Sequence, residues 1–282
     1  MEIGKGPRPP VKWPNNAKIC VSVTIAFEGF KTASHYATRS RGPGIPDPFS
    51  LSFGDYAAKV GVWRIFEVLK RNNIKATFDV GAYAAEMYPA VMKEMRAGGH
   101  EAAGHGYTND SYTKDDKRED ELELIQKSAR IIEETFGERP VGWVSPGSAG
   151  TEKSLEYMVQ EGFLWNGDDA SDDVPFVKRI NGKPLVIVPR INLPTNDLGV
   201  WLRAMNPPSA YFEGAKECFD FLYEEGKRGS PKWVDLLLHC HIGARPPIIS
   251  SFEKALQYFK GFDDVWYARR RDIAEWILKT EG

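Results

Sequence analysis

The sequence predicts a single α/β domain with a closed or nearly closed barrel, and three observations carry that expectation. Strand-like apolar runs alternate with amphipathic helical stretches along almost the whole chain. Polar residues capable of chemistry follow the strands, where barrels gather their active sites. Finally, 282 residues at 42% hydrophobic content are enough to bury one large core.

The order runs as follows. "KICVSVTIAF" reads as a strand, "KVGVWRIFEVLKRNN" as an amphipathic helix, "IKATFDVG" as a strand, "YPAVMKEMRAGG" as a helix closed by glycines, and "HEAAGHGY" as a short strand and loop. "DDKREDELELIQKSARIIEETFG" continues as a long helix, "VGWVSPG" as strand and turn, "EKSLEYMVQEG" as a helix, and "FLWNGD" and "PLVIVPR" as strands. "GAKECFDFLYEEGKR" is then a helix, "WVDLLLHCH" a strand, and "RRRDIAEWILKT" the closing helix. Residues 1–17 read as an N-terminal extension, and 31–56, rich in Gly, Pro and Ser, as a long loop that is either a lid over the site or a plain surface excursion.

Composition bounds the partners. A net charge of -2 with mixed signs and no basic stripe argues against nucleic acid or an anionic membrane surface. No stretch approaches the roughly 20 apolar residues of a membrane span, and the N-terminus lacks an apolar leader core. Three cysteines without paired spacing (Cys20, Cys218, Cys240) suit free thiols in a reducing compartment, so a cytoplasmic location is expected.

The candidate site starts at "VSVTIAFEGF", where Ala26 and Glu28, two apart on a strand, face the same space. Only Glu28 can hold a proton or a metal. In "AAGHGYTND", His105 and Asn109 stand four apart, a spacing that aims two side chains at one point on a helical turn. In "LLLHCHIGARP", His239 ends an apolar strand, where an imidazole can act as acid or base near neutral pH, and His241 shares its face if the strand continues. Asp79, Ser145 and Asp168 also follow strands, whereas the acidic run Asp168, Asp169, Asp172 and Asp173 suits ordinary turn chemistry.

In this order the blocks "KVGVWRIFEVLKRNNIKATFDVG", "AGGHEAAGHGY", "VGWVSPGSAGTEKSLEYMVQEGFLW", "DDVPF", "LPTNDLGVW" and "HIGARP" followed by "VWYARRRDIAEW" resemble the NodB-type polysaccharide deacetylase superfamily, within it the allantoinase-like and cyclic-imide-hydrolase-like branch. The resemblance runs from about "PPVKWP" to the C-terminus and implies a distorted (β/α)7-type barrel. Metal-dependent members carry a base and a metal ligand as Asp-x-Asp or Asp-x-Glu, two histidine ligands as His-x-x-x-His, and an arginine before Ser-Pro-Gly. Here those places hold Ala26 with Glu28, His105 with Asn109, and Val144. An arginine without its carboxylate would be a buried unpaired charge, so the loss of both together is physically consistent.

Glu28 and His105 are then the metal ligands if zinc binds at all, and no tightly bound cofactor is expected. The leading expectation is a hydrolase of a small cyclic amide, imide or ureide, with Glu28, His105 and His239 catalytic: Glu28 as base or water-positioner, His239 as general acid, and His105 with Asn109 polarising or orienting the carbonyl. Ser145, Asn196 and His241 are expected to bind substrate, Asn196 reading an amide edge. Arg245 is either a structural turn arginine or the holder of a substrate carboxylate. The alternatives are a zinc-dependent sugar deacetylase and an inactive small-molecule-binding relative; the branch resembled implies a homo-oligomer.

Overall fold

A computed structural model describes residues 9–36, 45–110, 121–190 and 195–281. The order is β1 (Ile19–Phe27), α1 (Pro48–Tyr56) running through a π-helical turn into α2 (Val62–Arg71), β2 (Thr77–Val80), α3 (Ala82–Met87), α4 (Pro89–Ala97), β3 (Glu101–Gly104) and α5 (Glu121–Phe136). It continues with β4 (Gly142–Trp143), α6 (Ser154–Gln160), β5 (Trp165–Asn166), β6 (Phe176–Ile180), β7 (Lys183–Ile187), a second π-helical turn (Leu198–Arg203), α7 (Ser209–Lys227), β8 (Lys232–His239), α8 (Pro246–Phe259), β9 (Val265–Tyr267) and α9 (Arg270–Glu281).

The strands line up as β6-β7-β5-β4-β3-β2-β1-β8, parallel except for the antiparallel β6–β7 pair. This is the distorted (β/α)7-type barrel, curled into a half-barrel: among the described residues β8 and β6 do not pair. β1 is its keystone. β8 runs along one edge of it, while β9 (at Ile19–Val21) and β2 (at Thr24–Phe27) divide the other.

The alternation of β1 sorts its two faces. Ile19, Val21, Val23, Ile25 and Phe27 join the apolar layer under α2, α7 and α8. Ser22, Thr24, Ala26 and, just past the strand, Glu28 occupy the other parity and face the interior, which is polar. There the Ser22 and Thr24 hydroxyls donate to Asp235, whose second oxygen accepts from Arg270 Nη2 at 2.9 Å. Glu101 accepts from Thr77 Oγ1 (2.7 Å), Trp165 Nε1 (3.0 Å) and the Arg271 N–H (2.9 Å). Burial of the two carboxylates is tolerable because hydrogen bonds meet their oxygens inside the barrel.

Several elements go beyond the sequence reading. The segment 31–56 is not structureless: Asp47 caps α1 by accepting from the Phe49 and Ser50 N–H groups, with Pro48 at the first helical position. Its residues 37–44 lie outside the described ones. Asn181 and Gly182, both left-handed (φ 50° and 79°), make the two-residue turn of the β6–β7 hairpin. Helix α8 buries Ile248, Ile249, Phe252, Ala255, Leu256 and Phe259, spaced three and four apart. The N-terminal segment packs on the barrel floor, where Trp13 donates to the Lys232 carbonyl at 2.8 Å and meets Trp266 at 5.5 Å. No helix of the described residues is long and apolar enough to cross a membrane.

His100 gives the fold a pH signature. Its ring stacks on Phe66 and its Nδ1 accepts the Ala76 N–H at 3.1 Å. Burial, reinforced by Lys75 and Arg269, pushes its pKa down to about 4 from an ordinary 6.5. A folded state that refuses this proton loses stability as pH falls below 6.5, by about 3 kcal/mol at pH 4. Denaturant titrations at pH 7 and pH 4.5 should show that loss, and a His100→Gln variant should show a shallower one.

Candidate active site

Glu28 sits at the end of β1 at 6% exposure, and imidazoles from four places surround it. His105, just past β3, donates from Nδ1 to the Val144 carbonyl at 2.7 Å, which orients the ring and places Nε2 3.3 Å from Glu28 Oε1. His35 follows β1, with Nδ1 3.4 Å from Glu28 Oε2. His241, in the turn after β8, places Nδ1 3.9 Å from that same oxygen and stacks on His35 at 5.3 Å. The ring of His239, at the end of β8, crosses that of His35 edge-on at 5.6 Å.

Electrostatics separates these groups. Burial alone would raise the Glu28 carboxyl, but His35, His239, His105 and His241 outweigh it and hold it well below the ordinary carboxylate range. Burial works against protonating His239 too, yet the carboxylates of Asp197 and Glu28 overcome that and raise it. His35 and His241 go the other way, lowered chiefly by their burial. The surroundings therefore favour the carboxylate form of Glu28 and the imidazolium form of His239.

Asp197 is the residue that orients the acid, and sequence reasoning passed over it. Its Oδ1 accepts from His239 Nδ1 at 2.7 Å and its Oδ2 from the His239 backbone N–H at 2.8 Å, leaving His239 Nε2 for the cavity. The block "TND" held the signal, but the partner lies 42 positions away.

Glu28, His35, His105 and His239 line a cavity of about 560 Å³, whereas His241, expected to bind substrate, is not part of its lining. Glu28 is its one carboxylate among the described lining residues, facing Asn196, Arg190, Arg203 and the Gly147–Ser148 turn. Asn196 lies where a substrate amide could be read, although its Oδ1 already accepts the Leu198 N–H at 3.0 Å. Arg190, a cation the sequence reading did not single out, donates from Nη1 to Ser148 Oγ at 2.9 Å and approaches Asp79 with Nη2 at 3.9 Å. Asp79 is fully buried and both its oxygens lack a hydrogen-bond partner.

Three expected substrate contacts are engaged elsewhere. Ser145 spends its N–H and hydroxyl on Asp168, at 2.8 and 2.7 Å. Arg245 donates from Nε to the His241 carbonyl at 3.0 Å and lies over the Phe53 and Tyr56 rings, fastening α1 to the turn after β8 as a structural arginine. Asn109 Oδ1 accepts the Gly29 N–H at 3.2 Å and its Nδ2 donates to the His105 carbonyl at 3.3 Å, so it ties loops together.

The polysaccharide deacetylase family model matches residues 42–164. A solved structure of a probable polysaccharide deacetylase from Pseudomonas aeruginosa PAO1 is 30% identical and superposes with a TM-score of 0.87 over 97% of this chain and 95% of its own. The chain belongs to the polysaccharide deacetylase family. The allantoinase PuuE is also 30% identical, with a TM-score of 0.86 over 99% of this chain and 96% of its own. A Schizosaccharomyces pombe protein bearing a polysaccharide deacetylase name is 28% identical across 95% of this chain and 92% of its own. Deacetylases of the family are hydrolases of carbon–nitrogen bonds other than peptide bonds.

The metal set that the family resemblance implies does not fit these residues. Catalytic zinc takes three protein ligands. At the family's positions Glu28 and His105 remain, but both polar atoms of Asn109 are committed to backbone groups. Asn109→Ala should accordingly behave as a structural lesion: it leaves a buried N–H and carbonyl unsatisfied and should cost about 1–3 kcal/mol in a denaturation experiment, with no change in the protein's affinity for zinc.

Proposed function

We propose that the protein hydrolyses a carbon–nitrogen bond in a small cyclic amide, imide or ureide. The observation that carries this reading is the opposition, inside one cavity, of the Glu28 carboxyl and the His239 imidazole held by Asp197, whose surroundings favour the ionised carboxyl and the protonated ring. Likeness to PuuE supports the ring substrate, and a cavity of about 560 Å³ suits a small ligand.

The steps follow from the side chains. Water held by Glu28 loses a proton to its carboxylate as the oxygen attacks the ring carbonyl. The carbon–nitrogen bond then breaks, and His239 Nε2 gives its proton to the departing nitrogen, so no free amide anion forms. Asp197 stabilises the imidazolium beforehand and keeps Nε2 aimed into the cavity. Asn196, through its Nδ2, is available to a carbonyl of the ring, and Arg190 supplies positive charge near the oxygen that becomes negative. A strained ring amide opens more readily than a sugar N-acetyl group, which suits a site with one carboxylate and no complete family metal set.

The test is a panel of hydantoins, imides and ureides assayed for ring opening, run beside N-acetylated sugar oligomers. Glu28→Gln and His239→Ala should each lower kcat by roughly 10²–10⁴-fold on the ring substrate, and Asp197→Asn should act through His239 in the same direction. Release of acetate from the sugars with no ring opening would replace this reading with sugar deacetylation. Ring opening undiminished in Glu28→Gln would remove the carboxylate from the mechanism.

A further inference from the structure

The side of Glu28 that faces away from His105 holds a second arrangement, which the ring-opening chemistry does not use. One carboxylate oxygen of Glu28 and one nitrogen each of His35 and His241 lie within 4.8 Å of one another. We propose that these three residues bind a divalent transition metal such as zinc, and that filling this site withdraws Glu28 from catalysis. The binding stands on the geometry alone; the inhibition rests on the function proposed above.

The separations are those of ligands sharing one ion. Around tetrahedral zinc, with bonds of about 2.0–2.1 Å, neighbouring ligand atoms stand about 3.3–3.5 Å apart. Glu28 Oε2 is 3.4 Å from His35 Nδ1 and 3.9 Å from His241 Nδ1, and His35 Nδ1 meets His241 Nε2 at 3.2 Å, so an inward turn of the His241 ring that exchanges this contact for the ion completes the set. Two of the three donor atoms, Glu28 Oε2 and His241 Nδ1, are buried without any hydrogen-bond partner. His241 is fully buried and Glu28 nearly so, at 0% and 6% exposure, and a buried donor with no partner costs about 1–3 kcal/mol until something satisfies it.

The frame is already built. Asp110 accepts from the N–H groups of Lys31, Thr32 and Ala33, and Ser34 Oγ donates to the Ser50 carbonyl at 2.8 Å, which fixes the backbone entering His35. The ring of Phe30 meets those of His35 and His241 edge-on at 5.5 and 5.2 Å and keeps water from that side. Two imidazoles and a carboxylate favour zinc and its neighbours over magnesium or calcium, which prefer oxygen ligands. Glu28 and His35 also line the cavity, so the fourth position opens toward it.

This is a different face of the carboxylate from the one the family uses. His105 approaches Oε1, whereas His35 and His241 approach Oε2. A metal on Oε2 engages the lone pair that would take the proton from water, and ring opening should stop.

The experiment uses the full chain, stripped with a chelator and titrated with cobalt(II), followed by its visible ligand-field absorption and by calorimetry, with zinc as competitor. We expect one equivalent bound with tetrahedral intensity, at least 100-fold weaker binding in His35→Ala and in His241→Gln, and an undisturbed spectrum in His105→Ala. His35 is partly exposed, with a quarter of its side chain accessible, so its replacement leaves the fold intact, and circular dichroism checks each variant. Loss of binding in His105→Ala with retention in His35→Ala would put the metal on the family's face and overturn the assignment, as would absence of cobalt binding in the parent protein. On any ring substrate found, one equivalent of zinc should abolish turnover and a chelator restore it, with His35→Ala insensitive to zinc. Activation by zinc would overturn the inhibitory part, and if no ring substrate is turned over at all, the spectra still decide the binding.

Discussion

The constraint on which the site depends is the burial of one carboxylate at the end of β1. Removing an ionised carboxyl from water is costly unless charge or hydrogen bonds meet it inside. The barrel meets that cost from several directions: His105 from the end of β3, His239 and His241 from β8 and the turn after it, and His35 from the chain just beyond Glu28. The strand order makes this possible. β1 is flanked by β2 on one edge and β8 on the other, so residues distant in sequence reach the same few ångströms. The histidine cluster is the electrostatic complement of Glu28, and its chemistry follows from that.

Ala26 has a second consequence. On β2, Asp79 pairs in register with Ala26 and therefore projects from the same face of the sheet, beside the space a larger residue at 26 would take. Arg190 approaches Asp79 from the end of β7. A carboxylate and a guanidinium thus still face one another near the mouth although positions 26 and 144 hold neither. At 3.9 Å the contact is loose, and the remaining lone pairs of Asp79 are unpartnered among the described residues, as are Arg270 Nε and Nη1 in the interior below. The polar floor is under-satisfied where the family's motif residues are missing.

Much of the fold was legible because periodicity reports directly on faces. The alternation in "VSVTIAFEGF" placed Glu28 on the inner side, and the strands and most of the helices follow from apolar spacing. Two local signals were present and passed over: Asp47–Pro48, a cap followed by a first-turn proline, and Asn181–Gly182, a hairpin turn. Helix α8 is also periodic, if less sharply than α2, and could have been read. The site was legible in part. Glu28, His105 and His239 do converge, since strand ends in a curled sheet must. What periodicity does not report is the partner of a polar atom. Ser145, Asn109 and Arg245 stand close to the expected place, yet backbone groups and Asp168 occupy their donors and acceptors. Conversely, His35, Arg190 and Asp197 gain their roles only through contacts across 7 to 206 positions of sequence, which no local pattern encodes.

The acid side of the site shows how backbone registry can do the work of a side-chain network. Beyond β7 the chain returns alongside β8: the Thr195 carbonyl accepts the Leu237 N–H at 2.9 Å, and Asn196 bridges to Leu237 as a parallel strand would. Two residues on in each strand, the Asp197 carboxylate takes the place of a backbone carbonyl and accepts the His239 N–H. Its other oxygen, held also by the Leu198 N–H at 2.9 Å, then reaches His239 Nδ1. The imidazole cannot rotate without breaking its bond to a carboxylate that the extension of the sheet holds in place. Gly243 completes the arrangement, because a Cβ there would stand 2.4 Å from Asp197 Oδ2 and push the carboxylate off the strand. The orientation of the proton donor is therefore a property of the sheet edge, independent of whatever lies on the far side of Glu28.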